Sequence, residues 1–143
     1  MTIKNKTESL RVAQQINAVE KKCFYNAFRT LTELAEYSDA IYVEGIAIAP
    51  SGLIIEHGWV EQDDQIVDPT IPDADTVYFA GLRFQGVAGV RRAMESIPKS
   101  GKEDLPIFYR YGWSGGDSPE MNQARKLAMA YSQSLSENRN NPQ

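Results

Sequence analysis

Apolar positions between residues 9 and 38 recur at three-to-four spacing. One row runs through Val12, Ile16, Val19, Cys23 and Ala27, and a neighbouring row through Phe24, Phe28, Leu31, Leu34 and Ala35. No Gly or Pro interrupts them, so the stretch reads as helix. Asn17 with Glu20 resembles a capping pair, with Lys21-Lys22 following, and divides it into two segments. From Ala40 the period changes. Residues 40–49 are rich in Ile, Val and Tyr, Pro50-Ser51-Gly52 is turn chemistry, and 53–61 is a second strand. A polar turn at 62–65 leads to a third strand over 66–68, stopped by Pro69, which predicts an antiparallel meander. Further along come a strand at 76–84, a short helix at 87–96 and a strand at 105–111. A last helix opens at Ser118-Pro119, with Ser as N-cap and Pro at the first helical position. It runs to about residue 135, and the polar tail 136–143 is expected to fray. Helices come first and strands second. The fold class is therefore α+β, with N-terminal helices packed on an antiparallel sheet, and not an alternating βαβ chain.

Composition narrows the chemistry. The 143 residues fit one domain, residues 1–143, with polar ends at about 1–8 and 136–143. Hydrophobic residues at 42% and charged residues at 24% describe a globular chain. A net charge of -4 gives no basic footprint for nucleic acid. No run approaches the roughly 18 apolar residues of a membrane span. Residues 1–8 lack the apolar stretch of a secretory signal, so a cytoplasmic location is the expectation. The chain holds one Cys and one His. That pair can form neither an internal disulfide nor a four-ligand Cys/His zinc site, and no metal or cofactor is expected.

The same scarcity points to a positive candidate. Cys23, His57 and Asp68 follow in that order on three different predicted elements. His57 and Asp68 lie on neighbouring strands joined by a short loop, where cross-strand partners sit about 4.5–5.5 Å apart at Cβ. A carboxylate there can fix the imidazole tautomer. A helix packed on the same face can offer Cys23 to the other ring nitrogen. The imidazole then takes the thiol proton, the thiolate attacks an acyl carbon, and the same His protonates the leaving group.

The words around these residues are distinctive. Glu56-His57-Gly58-Trp59-Val60, followed by Ile66-Val67-Asp68-Pro69-Thr70, resembles the transglutaminase-like branch of the papain-like cysteine-enzyme superfamily. Cys23-Phe24-Tyr25-Asn26-Ala27 is similar to the nucleophile helix of that family, and the order is the same. The resemblance covers about a third of the chain, from Cys23 to Thr70. It implies a papain-like core in which Cys23 is the nucleophile, His57 the general base and Asp68 the orienting acid. It also implies acyl transfer on a peptide or protein amide, with the backbone N–H of Cys23 in the oxyanion hole. Gln14 or, in preference, Gln15 is a candidate second donor. Two features depart from the family. Gly58 stands where Ala is usual, and no Gly, Pro or Trp ahead of Cys23 marks a helix start. A Cys23 in mid-helix would lose the thiolate stabilisation of a helix N-terminus. A catalytically silent binding module of the same fold is the alternative.

Plainer readings exist for each residue. A Cys on an apolar stripe is commonly a small core residue, and an Asp before Pro commonly ends a strand. Trp59 reads as packing, and Tyr78, Phe79, Phe84, Phe108, Tyr109 and Tyr111 mostly as core aromatics. Lys21-Lys22 and Arg91-Arg92 read as solvated faces. Gly112-Trp113-Ser114-Gly115-Gly116 matches the serine nucleophile elbow, but that triad needs a His downstream of the Ser, and the one His lies upstream. The segment reads instead as a loop bordering the active site.

Overall fold

The computed structural model describes residues 2–99 and 101–140. It has the expected α+β class. Strand β1 (Ile3–Lys4) is followed by helices α1 (Lys6–Gln15) and α2 (Cys23–Glu33). Strands β2 (Ile41–Ile48), β3 (Ile54–Gln62), β4 (Gln65–Val67) and β5 (Val77–Gln85) come next, then helices α3 (Gly86–Ser96) and α4 (Pro119–Asn140). Short 3-10 turns occupy Ala35–Tyr37, Ile107–Tyr111 and Trp113–Gly115.

The strands form one sheet in the order β1-β4-β3-β2-β5. The β2-β3-β4 meander is antiparallel as expected, and β5 adds to β2 antiparallel. The sheet is nevertheless mixed, because β1 pairs parallel with β4. The polar N-terminal end is therefore part of the fold. Lys4 Nζ donates to the carbonyls of Ile71 and Ala74, both at 2.7 Å, which fastens the β4–β5 connection to the sheet edge.

Two of the expected elements are revised. Residues 105–111 are not a strand. Leu105, Ile107 and Phe108 are buried, but the sheet does not extend to them, and Ile107–Tyr111 folds as a 3-10 turn. Two of its N–H groups, on Ile107 and Phe108, find their acceptors in the Glu44 carboxylate at 2.6 and 2.8 Å. The tail does not begin to fray at 136, since α4 continues to Asn140. Residues 141–143 lie outside the described residues. Ser118 does cap α4, its Oγ accepting from the Met121 N–H at 3.2 Å.

Both sheet faces are covered. The larger core includes Val12, Ala27, Leu31, Tyr42, Ile46, Val60, Val90, Phe108 and Met121. The smaller one is Val43, Trp59 and Ile66, with Ile41, Tyr78 and Ala80 against it. Because β4 and β5 lie on opposite sides of β3-β2, the 68–76 connection crosses the sheet, and Asp68 and Tyr78 bring it over the Trp59 face. No helix among the described residues is long and apolar enough to cross a membrane.

Candidate active site

The break between α1 and α2 determines where Cys23 sits. Asn17 does not cap the second helix. It ends the first, in the left-handed region at φ 51°. The Asn17 N–H bonds the Gln14 carbonyl and the Ala18 N–H the Ala13 carbonyl, the Schellman pattern of a helix C-terminus. The linker 16–22 then runs back along α2. Ile16 accepts from the Arg29 guanidinium, and Val19 is held by the Asn26 side chain through its N–H (3.0 Å) and its carbonyl (2.8 Å). Helix α2 consequently starts at Cys23, and its first residue is the only Cys in the chain. No side chain caps this helix and no acid lies in its first turn. The first N–H groups of a helix have no partner within it, so the positive end of α2 is available to a thiolate.

Gly58 brings this helix onto the sheet. A Cβ at that position would lie 2.7 Å from the Phe24 ring and 3.2 Å from the Phe24 Cα. Bare backbone on β3 therefore lets the first turn of α2 approach closely. His57 projects to the opposite face, so α2 does not pack on the His57 face as expected; there the ring stacks on Trp59 at 6.2 Å and 25°. Trp59 is fully buried, in keeping with a packing role.

His57 and Asp68 meet, with Nε2 2.7 Å from an Asp68 carboxylate oxygen, both side chains almost wholly out of solvent. Burial acts to lower the imidazole pKa. Hydrogen bonding and charge from Asp68, and then from Cys23, overcome it and raise the value to about 9. Since Nε2 is committed to Asp68, Nδ1 is the ring nitrogen left for the Cys23 thiol, which is itself buried at 9% exposure.

Asp68 is held on every side. One carboxylate oxygen accepts from His57 and from the Tyr78 hydroxyl at 2.7 Å. The other accepts the Thr70 and Ile71 N–H groups at 3.1 and 3.3 Å. Its own N–H donates to Ser9 Oγ on α1 at 2.9 Å. Burial works against the charged form, but these donors, the His57 charge and nearby Lys4 keep the carboxyl below its ordinary range. Asn26 completes the frame by donating to Thr70 Oγ1 at 2.8 Å, tying the turn after Asp68 to the helix that carries Cys23.

The structure thus bonds His57 to Asp68 and sets Cys23, at the first turn of α2, among the groups that raise the His57 pKa. It does not bring Gln15 to them. Gln14 and Gln15 are exposed on the last turn of α1, at the far end of the linker from Cys23. The second oxyanion donor assigned to Gln15 is not supported by this arrangement. Tyr78, Asn26 and Ser9 take positions that sequence reasoning missed. Asn26, a polar residue amid apolar neighbours on a helix, was the one visible signal. Among the described residues no group of His, Cys, Asp and Glu could hold a metal ion.

The loop after the 3-10 turn borders this site. Phe108 packs edge-on against Phe24, the neighbour of Cys23, at 5.7 Å, and Tyr109 follows it. Tyr109, Gly112, Trp113 and Ser114 line a cleft of about 510 Å³. Lys21-Lys22 and Arg91-Arg92 are exposed, as expected of solvated faces. Comparison with family models, curated proteins and solved structures gives no match for this chain.

Proposed function

We propose that the chain is a cysteine-dependent acyl-transfer enzyme of the transglutaminase-like kind, hydrolysing an amide of a peptide or protein. One observation carries this reading: a buried imidazole is bonded to Asp68 at 2.7 Å and has its pKa raised by Asp68 and by Cys23, the residue that opens α2. With its pKa raised to about 9, His57 already carries the proton at neutral pH, and Cys23 adds to the amide carbonyl as the thiolate of that ion pair. The Cys23 N–H faces the developing oxyanion. His57 then passes the proton to the departing amine, leaving a thioester. Water adds to the thioester, giving its proton to His57. Collapse releases the acid and leaves the thiolate beside a protonated His57, the state from which the cycle began. Asp68 stays ionised throughout, holding Nε2–H and supporting the imidazolium. Water is the acceptor this reading assigns, which favours hydrolysis over cross-linking. The silent-module alternative has two motives, the weak helix start before Cys23 and the missing oxyanion signature; a helix that starts at residue 23 answers the first, and activity of the thiol decides between the two readings.

Alkylation tests the reading. Iodoacetamide at neutral pH should modify Cys23 of the folded protein faster than the same thiol in the urea-unfolded chain, and His57→Gln should remove the advantage. A folded protein that reacts more slowly than the unfolded chain would overturn it.

A further inference from the structure

Trp113 is 94% exposed and Tyr109 47% exposed. A single exposed apolar side chain needs no explanation, but two rings lining one concave cleft form a different kind of surface. The segment carrying them is firmly held. Glu44 receives the N–H groups of Ile107 and Phe108. Arg110 donates to the carbonyls of Met94 (2.8 Å), Ile97 (2.7 Å) and Asp104 (2.9 Å). The Asp117 N–H closes onto the Tyr111 carbonyl at 2.7 Å, and Arg125 holds the Ser114 carbonyl. Gly115 seats the turn on Phe108, and Gly112, at φ 83°, has no room for a Cβ beside the Asp117 carboxylate. The indole is thus presented to solvent from a turn fixed at both ends.

The cleft has the size of a small-ligand site, for which roughly 300–1,000 Å³ is usual. Its lining residues carry no formal charge: two aromatic rings, a Gly and a Ser. Its wall is linked by packed rings to the residue beside Cys23, Tyr109 lying on Phe108 and Phe108 on Phe24. We infer that this cleft receives a neutral aromatic or large apolar side chain of the amide substrate, next to the bond that Cys23 attacks. The inference rests on the proposed function for what the occupant belongs to, and on the cleft itself for the chemistry it accepts. The rings supply a flat contact area at small entropic cost.

Two measurements test this. The first needs no thiol chemistry. Titration with N-acetyl-phenylalaninamide should move the Trp113 indole N–H resonance saturably, and N-acetyl-glycinamide at equal concentration should not. The Trp59 indole, bonded to Glu61 at 3.2 Å, serves as the internal control. Equal responses to both amides would overturn the inference. The second compares N-(2-phenylethyl)chloroacetamide with chloroacetamide as alkylators of Cys23. Burying a phenyl ring predicts a rate advantage of about tenfold or more. That advantage should fall to about twofold or less in Trp113→Ala. A ratio near one in the unmodified protein, or an undiminished ratio in the variant, counts against the cleft. If chloroacetamide reacts with Cys23 no faster than with the unfolded chain, the proposed function fails, and the indole titration still decides the cleft.

Discussion

At the scale of the residue, the site is set by how one carboxylate divides its lone pairs. Asp68 gives one oxygen to two backbone N–H groups and the other to His57 and Tyr78. The backbone pair fixes the carboxylate plane. The Tyr78 hydroxyl competes with the imidazole for the oxygen that supports its charge. The chain has one His, so its titration is a single, unambiguous NMR signal. In the intact protein that signal should titrate near 9, above the ordinary 6.5. Asp68→Asn removes the supporting charge but leaves the burial, so the midpoint should fall below about 6.5. Cys23 alkylation in that variant should slow by about a hundredfold, the lower end of what a positioned acid–base group supplies. Tyr78→Phe leaves Asp68 with one fewer donor and should move the His57 midpoint further upward. An unchanged midpoint would reduce Tyr78 to packing, the role its strand pattern suggests. The role of Tyr78 was not legible in the sequence, because nothing local to residue 78 says which loop will cross its face.

At the scale of the element, the relation between α2 and β3 controls whether the thiol meets the imidazole. Gly58 is the residue that allows their approach. A methyl group there meets the Phe24 ring and its Cα. The ring can turn, but the Cα belongs to the first turn of α2 and moves only with the helix. Gly58→Ala should therefore destabilise by about 1–3 kcal/mol, the usual cost of overpacking. It should also slow alkylation of Cys23 while leaving α4 and the far end of the sheet intact. Urea denaturation and the alkylation rate, measured together, check this; a variant with native stability and native reactivity would refute it. The regular elements were legible because their periods are strong. Strands β2 to β5 lie within a residue or two of their apolar runs, and the meander pattern by itself sets His57 near Asp68. Element ends were less legible. Asn17 carries the same side chain whether it caps the next helix or ends the last, and only the left-handed turn at residue 17 distinguishes the two. The aromatic run at 105–111 has strand composition. Its backbone groups are met by a buried carboxylate from another element, and no local pattern announces that.

At the scale of the whole molecule, two buried acids on different faces of the sheet tie distant segments to the site, and both leave a mark on stability against pH. Glu44 lies on the larger core face of β2 and is fully buried. Burial, opposed by hydrogen bonds from Tyr42, Ile107 and Phe108, raises its pKa from 4.5 to about 7. A raised carboxyl favours the protonated folded state, so its contribution is full below about 4.5 and is lost as the pH climbs through 7. His57 is also raised, to about 9, and its contribution is full below 6.5 and lost as the pH climbs through 9. Asp68 is shifted the other way. Its contribution is present above 3.8 and lost as the pH falls through its lowered folded value. Thermal stability should therefore be greatest on the acid side of neutrality, near pH 4–5, and decline towards pH 9 in two overlapping steps. Glu44→Gln places an uncharged isostere of the protonated acid under the 107–111 turn and should flatten the first step. His57→Gln should flatten the second and leave the first. Melting temperatures across pH 4–10 for the three proteins separate these contributions. Parallel curves would mean that neither buried group couples folding to pH, and that the sheet tolerates either charge state at both positions.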